Sequence, residues 1–182
     1  MQRSVNGDLA AFEVLVERNQ DVVVRVAARI VGRDNADDVA QDAFLKAFHR
    51  LPRFRGESSF RTWLLTITHN TALSAIARPS AEPYPEPEDQ PEPEFDGPHG
   101  QRTPAEHLED RERGQRLVQK LRLLPPAHRA VLVLRDVEGL SYEEIAQVTD
   151  SPLGSVKGRL SRARGEFVEI LRNNSYDWRL PQ

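Results

Sequence analysis

The sequence predicts an all-α fold: two small helical domains joined by a flexible, acidic, proline-rich linker. Three observations lead there. Apolar residues recur at helical spacing on both sides of the chain's middle. Residues 79–104 hold 8 of the 13 prolines and almost no large apolar side chain. Residues 140–167, LSYEEIAQVTDSPLGSVKGRLSRARGEF, read as a helix-turn-helix.

In the first lobe, residues 8–19 place Leu9, Phe12, Leu15 and Val16 on one helical face. A second, Val-rich helix follows over 21–31 and ends at Gly32. Asn35 can cap a third, in which Val39, Ala43, Phe44 and Ala47 recur at helical spacing up to Leu51-Pro52. After the loop Arg53–Glu57 a fourth helix starts near Ser58 or Ser59 and runs to Ala77, stopped by Pro79. The second lobe has a helix near 105–122, the break Leu124-Pro125-Pro126, and a helix from about Pro126 to Val137. The VVV and VLVL runs resemble strands in composition, but no hairpin turn signals flank them. The domains expected are therefore 1–78, the linker 79–104, a second domain 105–172 and a tail 173–182.

The helix-turn-helix has local signals at each step. Ser141 followed by Glu144 is a capping box just after Gly139, so a short helix begins at Tyr142. Asp150-Ser151-Pro152 breaks it, and Pro152 suits the first position of the next helix. There Val156, Leu160, Ala163, Phe167 and Ile170 fall on one stripe. The opposite face carries Gly154, Gly158, Ser161 and Arg162, flanked by Lys157, Arg164 and Arg159. Small residues permit close approach to a surface, and Lys and Arg can meet phosphates and guanine edges. A solvated, salt-bridged surface helix is the alternative. It gives no reason to tolerate two helix-interior glycines at roughly 1 kcal/mol each.

A net charge of −3 conceals an uneven distribution. Residues 1–78 carry +2, residues 79–110 carry −9 and residues 111–172 carry +4. Two mildly basic lobes thus flank an acidic connector, which suits a polyanion partner for the lobes and not for the linker. With no Cys there is neither a disulfide framework nor a thiol nucleophile, and no metal site or cofactor motif is expected. No apolar run approaches a membrane span and the N-terminus lacks a signal-peptide core, so a soluble, cytoplasmic protein without direct membrane insertion is expected. An enzyme has little support. His49, His69, His99, His107 and His128 are scattered, and no phosphate loop or nucleophile elbow appears.

The first-lobe segment NADDVAQDAFLKAFHRLPRFRGESSFRTWLLTITHN resembles conserved region 2 of a bacterial RNA polymerase sigma factor. The segment LPPAHRAVLVLRDVEGLSYEEIAQVTDSPLGSVKGRLSRAR is similar to region 4. Two such regions joined directly by a linker resemble the extracytoplasmic-function (ECF) class. The resemblance implies a factor that binds core RNA polymerase, recognises −35 and −10 promoter elements and promotes strand opening, with no catalysis of its own.

It also implies residue roles. In the first lobe Phe54, Trp63 and Asn70 would hold an extruded −10 base, with Arg55 and Arg61 on the phosphates. The residues allow this: Trp63 and Asn70 share one helical flank, where an indole offers stacking and an amide offers hydrogen bonds. Ordinary core packing of Phe54 and Trp63 is the alternative. The acidic Asp38, Gln41 and Asp42, on one side of the third helix, would dock on the β′ clamp coiled coil, and the second lobe on the β flap. Complementing the helix macrodipole would equally explain acids there. Lys157, Gly158, Ser161 and Arg162 would face −35 base edges, with Ser155, Arg159 and Arg164 as phosphate anchors. Arg129 and Arg135 read either as further contacts or as solvated surface arginines. The linker would mimic RNA in the transcript path, or serve only as an extended spacer. Relatives of this kind are commonly restrained by an anti-sigma protein, which makes one a candidate partner here. A stand-alone DNA-binding regulator is the competing function, but it leaves the Trp63–Asn70 edge and the acidic third helix without a task.

Overall fold

A computed structural model describes residues 9–78, 114 and 116–173. Every regular element among these residues is helical. In order they are α1 (Leu9–Val31), α2 (Ala36–Arg50), a 3-10 turn (Leu51–Arg53), α3 (Phe60–Ala77), α4 (described over 116–122), α5 (Pro126–Leu132), a π turn (Val133–Val137), α6 (Tyr142–Val148) and α7 (Leu153–Asn173). The linker 79–104, the beginning of the helix expected near 105–122 and the tail after Asn173 lie outside the described residues. No helix among the described residues is long and apolar enough to cross a membrane.

The two helices expected over 8–19 and 21–31 are one continuous helix, α1. Asn19-Gln20-Asp21 contains neither Gly nor Pro, and Asn19 does not act as a cap. Its side-chain amide donates to the Leu15 carbonyl one turn back at 2.8 Å, which satisfies it inside the helix. α1 ends where Gly32 adopts φ +96°, a left-handed conformation that favours glycine. Asn35 sits at the N-cap of α2 but makes no side-chain capping bond. Ser59 does cap α3, its hydroxyl accepting from the Thr62 amide at 3.0 Å. That bond contributes on the order of 1 kcal/mol.

α1, α2 and α3 pack around Val23, Val26, Ala27, Ile30, Val39, Ala43, Leu64 and Ile67, all buried. In the second lobe α5 and α6 pack on α7 through Val131, Leu134, Ile145, Val148, Val156, Leu160 and Ala163. α5 runs on into the π turn, where the Glu138 amide donates to the Val133 carbonyl at 3.0 Å.

The two lobes are not separate bodies on a string. α3 packs on α6, and α1 packs on α5 and the π turn, so that one buried cluster runs through both lobes. α3 is consequently buried on nearly every side, with Leu65, Thr68 and His69 covered as well as Leu64 and Ile67. Arg129, expected at the surface, is buried and structural. Its guanidinium donates to the Arg122 carbonyl at 2.7 Å, the Leu124 carbonyl at 3.0 Å and, across the lobes, the Ile30 carbonyl at the end of α1. Arg135 likewise turns inward, donating to the Leu140 carbonyl at 2.6 Å and lying 4.8 Å over the Tyr142 ring.

Candidate nucleic-acid and polymerase interface

The helix-turn-helix forms as its local sequence dictates. The Ser141 hydroxyl accepts from the Glu144 amide at 3.1 Å, and the Glu144 carboxylate accepts from the Ser141 amide at 2.8 Å. These bonds hold the Glu144 pKa below its ordinary value, the backbone bond to Ser141 first among the causes. Asp150, in the turn, takes φ +46°, a left-handed conformation that Asp tolerates better than most side chains. Pro152 precedes α7 by one residue, and its carbonyl accepts from Ser155 and Val156 at 2.9 and 3.1 Å.

On α7 the stripe Val156, Leu160 and Ala163 is buried, with Phe167 and Ile170 half-buried. Ser155, Lys157, Ser161, Arg162 and Arg164 are exposed, and Gly158 and Arg159 are half-buried. The glycines have no internal reason to be there. A Cβ on Gly154 would meet nothing within 4 Å, and one on Gly158 would meet only the Arg162 guanidinium at 4.0 Å. Packing within the chain therefore permits alanine at both, and helix propensity prefers it. Two of the cations are engaged within the protein. Arg164 forms a two-bond ion pair with Asp136, and Lys157 lies 5.9 Å over the Tyr142 ring.

The loop before α3 and its first two turns bring aromatics together. Phe54 lies 5.0 Å from Trp63 and 6.2 Å from Phe60, and Phe60 lies 5.6 Å from Trp63, between ring centroids. All three are half-buried and pack against one another. Asn70 is exposed two turns along α3 from Trp63. Arg55 is well exposed in the loop, 4.0 Å from Glu57. Arg61 is partly engaged in this arrangement, its Nη2 donating to Glu138 of the second lobe at 3.1 Å.

On α2, Asp38 and Gln41 are exposed and Asp42 is half-buried. Lys46 fixes Asp42, donating to its carboxylate at 2.7 Å and to the Thr71 hydroxyl at 3.2 Å. A cleft of about 210 Å³ opens here between α2 and α3, lined by Asp38, Asp42, Lys46, Thr71, Ser74 and Arg78. Leu45, one turn beyond Asp42, is 55% exposed. Its exposure is not evident from the sequence, because one apolar residue on a polar flank has no periodic partner.

Residues 15–81 match Sigma-70 region 2, and residues 114–166 match Sigma-70 region 4. The chain is 36% identical over 173 residues to the ECF RNA polymerase sigma-E factor of Haemophilus influenzae, covering 93% of this chain and 91% of that one. The chain belongs to the ECF sigma factors of RNA polymerase. An RNA polymerase sigma-H factor of Pseudomonas aeruginosa is 37% identical over 177 residues, covering 94% and 92% of the two chains. Among solved structures, CnrH in complex with the cytosolic domain of CnrY aligns with a TM-score of 0.69 at 25% identity, over 95% of each chain. The sigma factor RpoE of Bartonella quintana, in complex with the anti-sigma factor NepR, shares the fold with a TM-score of 0.64 at 22% identity, covering 91% of this chain and 99% of that one. As an ECF sigma factor the chain acts with RNA polymerase in promoter recognition and transcription initiation, and it carries no bond chemistry of its own.

Proposed function

We propose a residue-level division of labour for this sigma factor. Lys157, Gly158, Ser161 and Arg162 read −35 base edges in the major groove. Ser155, Arg159 and Arg164 anchor phosphates there, Arg164 after exchanging Asp136 for DNA. Phe54, Trp63 and Asn70 receive an unpaired −10 base, with Arg55 and Arg61 on the backbone. Asp38, Gln41 and Asp42 dock on the β′ clamp coiled coil, and the second domain sits on the β flap. The working domains are 1–78, 105–172 and the linker between them, in the cytoplasm, where an anti-sigma protein is a further partner.

One observation supports this reading most. Gly154 and Gly158 disfavour the helix and fill no internal need, so their value is to let an external surface come close to α7. The deciding experiment is transcription in vitro from a promoter library with core polymerase, with and without the chain. New start sites that require both components support the reading. A footprint on DNA without polymerase and no new start sites would replace it with a stand-alone regulator.

A further inference from the structure

Glu138 lies between the π turn and Gly139, in the second lobe, yet its side chain is only 1% exposed because the first lobe covers it. Arg25 of α1 donates from Nε to one carboxylate oxygen at 2.7 Å and from Nη2 to the other at 2.9 Å. Arg61 of α3 donates to the second oxygen at 3.1 Å and to the Glu138 carbonyl at 3.3 Å. At the next residue of α3 the Thr62 hydroxyl donates to Glu144 at 3.3 Å, the same carboxylate that caps α6. The first turn of α3 is thus held by two carboxylates of the helix-turn-helix lobe. A carboxylate carrying two guanidiniums, one of them bidentate, is also how a backbone phosphate is gripped.

The docked arrangement conflicts with the work the two lobes share. Boxes named −35 and −10 lie about 25 base pairs apart, roughly 85 Å along a duplex at about 3.4 Å per pair. Lobes in contact through α1, α3, α5 and α6 cannot sit on both at once, since a compact chain of this length is only about 40 Å across.

We propose that Glu138 is an autoinhibitory latch: it occupies Arg61 as a phosphate would, holds the lobes closed in the free protein, and is released when polymerase and promoter DNA draw the lobes apart. The latch engages, through Nη2, the same guanidinium to which the −10 phosphate contact is assigned. It also holds the helix carrying Trp63 against the second lobe. Arg25 has no task in DNA or polymerase binding on this reading, and its role is to keep Glu138 bound and buried. The carboxylate in turn keeps the Arg25 guanidinium above its ordinary pKa, through their hydrogen bonds.

The inference rests on the promoter-binding role of Arg61 proposed above, and the test separates the two. The chain has no cysteine, so Glu17→Cys and Glu169→Cys provide one exposed labelling position in each lobe for energy transfer on the full-length protein. Free protein should show high transfer. Glu138→Gln and, separately, Arg25→Ala should lower it and raise affinity for a promoter fragment recovered from the library assay by roughly tenfold, the scale of losing a charge-assisted buried pair. In holoenzyme neither variant should alter the choice of start site. If Glu138→Gln fails to fold, Arg25→Ala, which removes the bidentate partner of the carboxylate, decides alone. Unchanged transfer in folded variants overturns the latch. Lower transfer without tighter DNA binding overturns autoinhibition. Absence of start sites with every variant, wild type included, would instead remove the promoter reading, and the transfer change would then decide only whether Glu138 holds the lobes together.

Discussion

Arg164 and Asp136 are joined by two hydrogen bonds, Nη2 to Oδ1 at 2.5 Å and Nε to Oδ2 at 3.2 Å, tying the middle of α7 to the π turn. The pair raises the Arg164 pKa, the hydrogen bond to Asp136 contributing most. Both side chains are nearly half exposed, so the pair is worth little to stability. Its consequence is for binding, because a guanidinium spent on Asp136 is not available to phosphate until the two part.

Asp136→Asn should therefore tighten binding to a −35 duplex by about threefold to tenfold with little change in the salt slope, since Arg164 meets phosphate in both proteins. Arg164→Gln should weaken binding and make it less sensitive to salt. Anisotropy titrations at several salt concentrations check both. Equal slopes for the wild type and Arg164→Gln would mean that Arg164 never reaches the DNA.

Gly158 offers a test in which stability and function move in opposite directions. Its Cβ position is open apart from the Arg162 guanidinium, so Gly158→Ala should stabilise the chain by about 1 kcal/mol. The added methyl group stands where α7 would approach base edges, so −35 binding should weaken or change its sequence preference. Chemical denaturation and a selection from randomised −35 duplexes measure the two effects. A more stable variant with unaltered DNA preference would return α7 to the status of an ordinary surface helix.

The helix-turn-helix was fully legible because its determinants are local. Ser141 and Glu144 are three residues apart, and the buried stripe of α7 repeats within two turns. The burial of α3 was not legible in the same way. Leu65, Thr68 and His69 are covered by a lobe that follows a long connector, and no period within α3 announces that second contact. The same holds for Glu138 and Arg129, whose partners lie in the other lobe. Each looks in the sequence like an ordinary polar residue near a turn or on a surface, since neighbouring residues carry no trace of a distant guanidinium or carbonyl. The split of α1 at Asn19–Asp21 failed for a different reason. A polar triplet can end a helix, but only where its side chains have no better partner than a free amide.

Lys46 bridges Asp42 and Thr71, which orients one of the three residues assigned to polymerase. Asp38→Lys should reduce affinity for core polymerase by roughly tenfold or more, since it reverses the charge at a residue proposed for the clamp contact. Lys46→Met should produce a smaller loss, because it frees Asp42 without removing its charge. Affinity of the free chain for duplex DNA should be unaffected by either. Competition binding to core polymerase gives the first quantity and anisotropy the second. If both substitutions bind core as the wild type does, the acids of α2 serve only the helix dipole.

His69 sits on the inner part of α3, 5% exposed, with Nδ1 lacking a hydrogen-bond partner among the described residues. Burial lowers its pKa from 6.5 to about 4, and the charge of Arg159 on α7 adds to the effect. The imidazole is therefore neutral in the folded chain near neutral pH. In the unfolded chain it takes up a proton as pH falls through its ordinary value. Stability linked to His69 is thus constant above pH 6.5 and declines between 6.5 and about 4, by about 1.4 kcal/mol per pH unit. Carboxylates also titrate toward the lower end of that window, so the useful comparison is with His69→Gln between pH 7.5 and 5.5. The wild type should lose about 1 kcal/mol more than the variant over that interval. Parallel losses in urea denaturation would mean that the ring is hydrated, and so that α3 is not covered by the second lobe in solution.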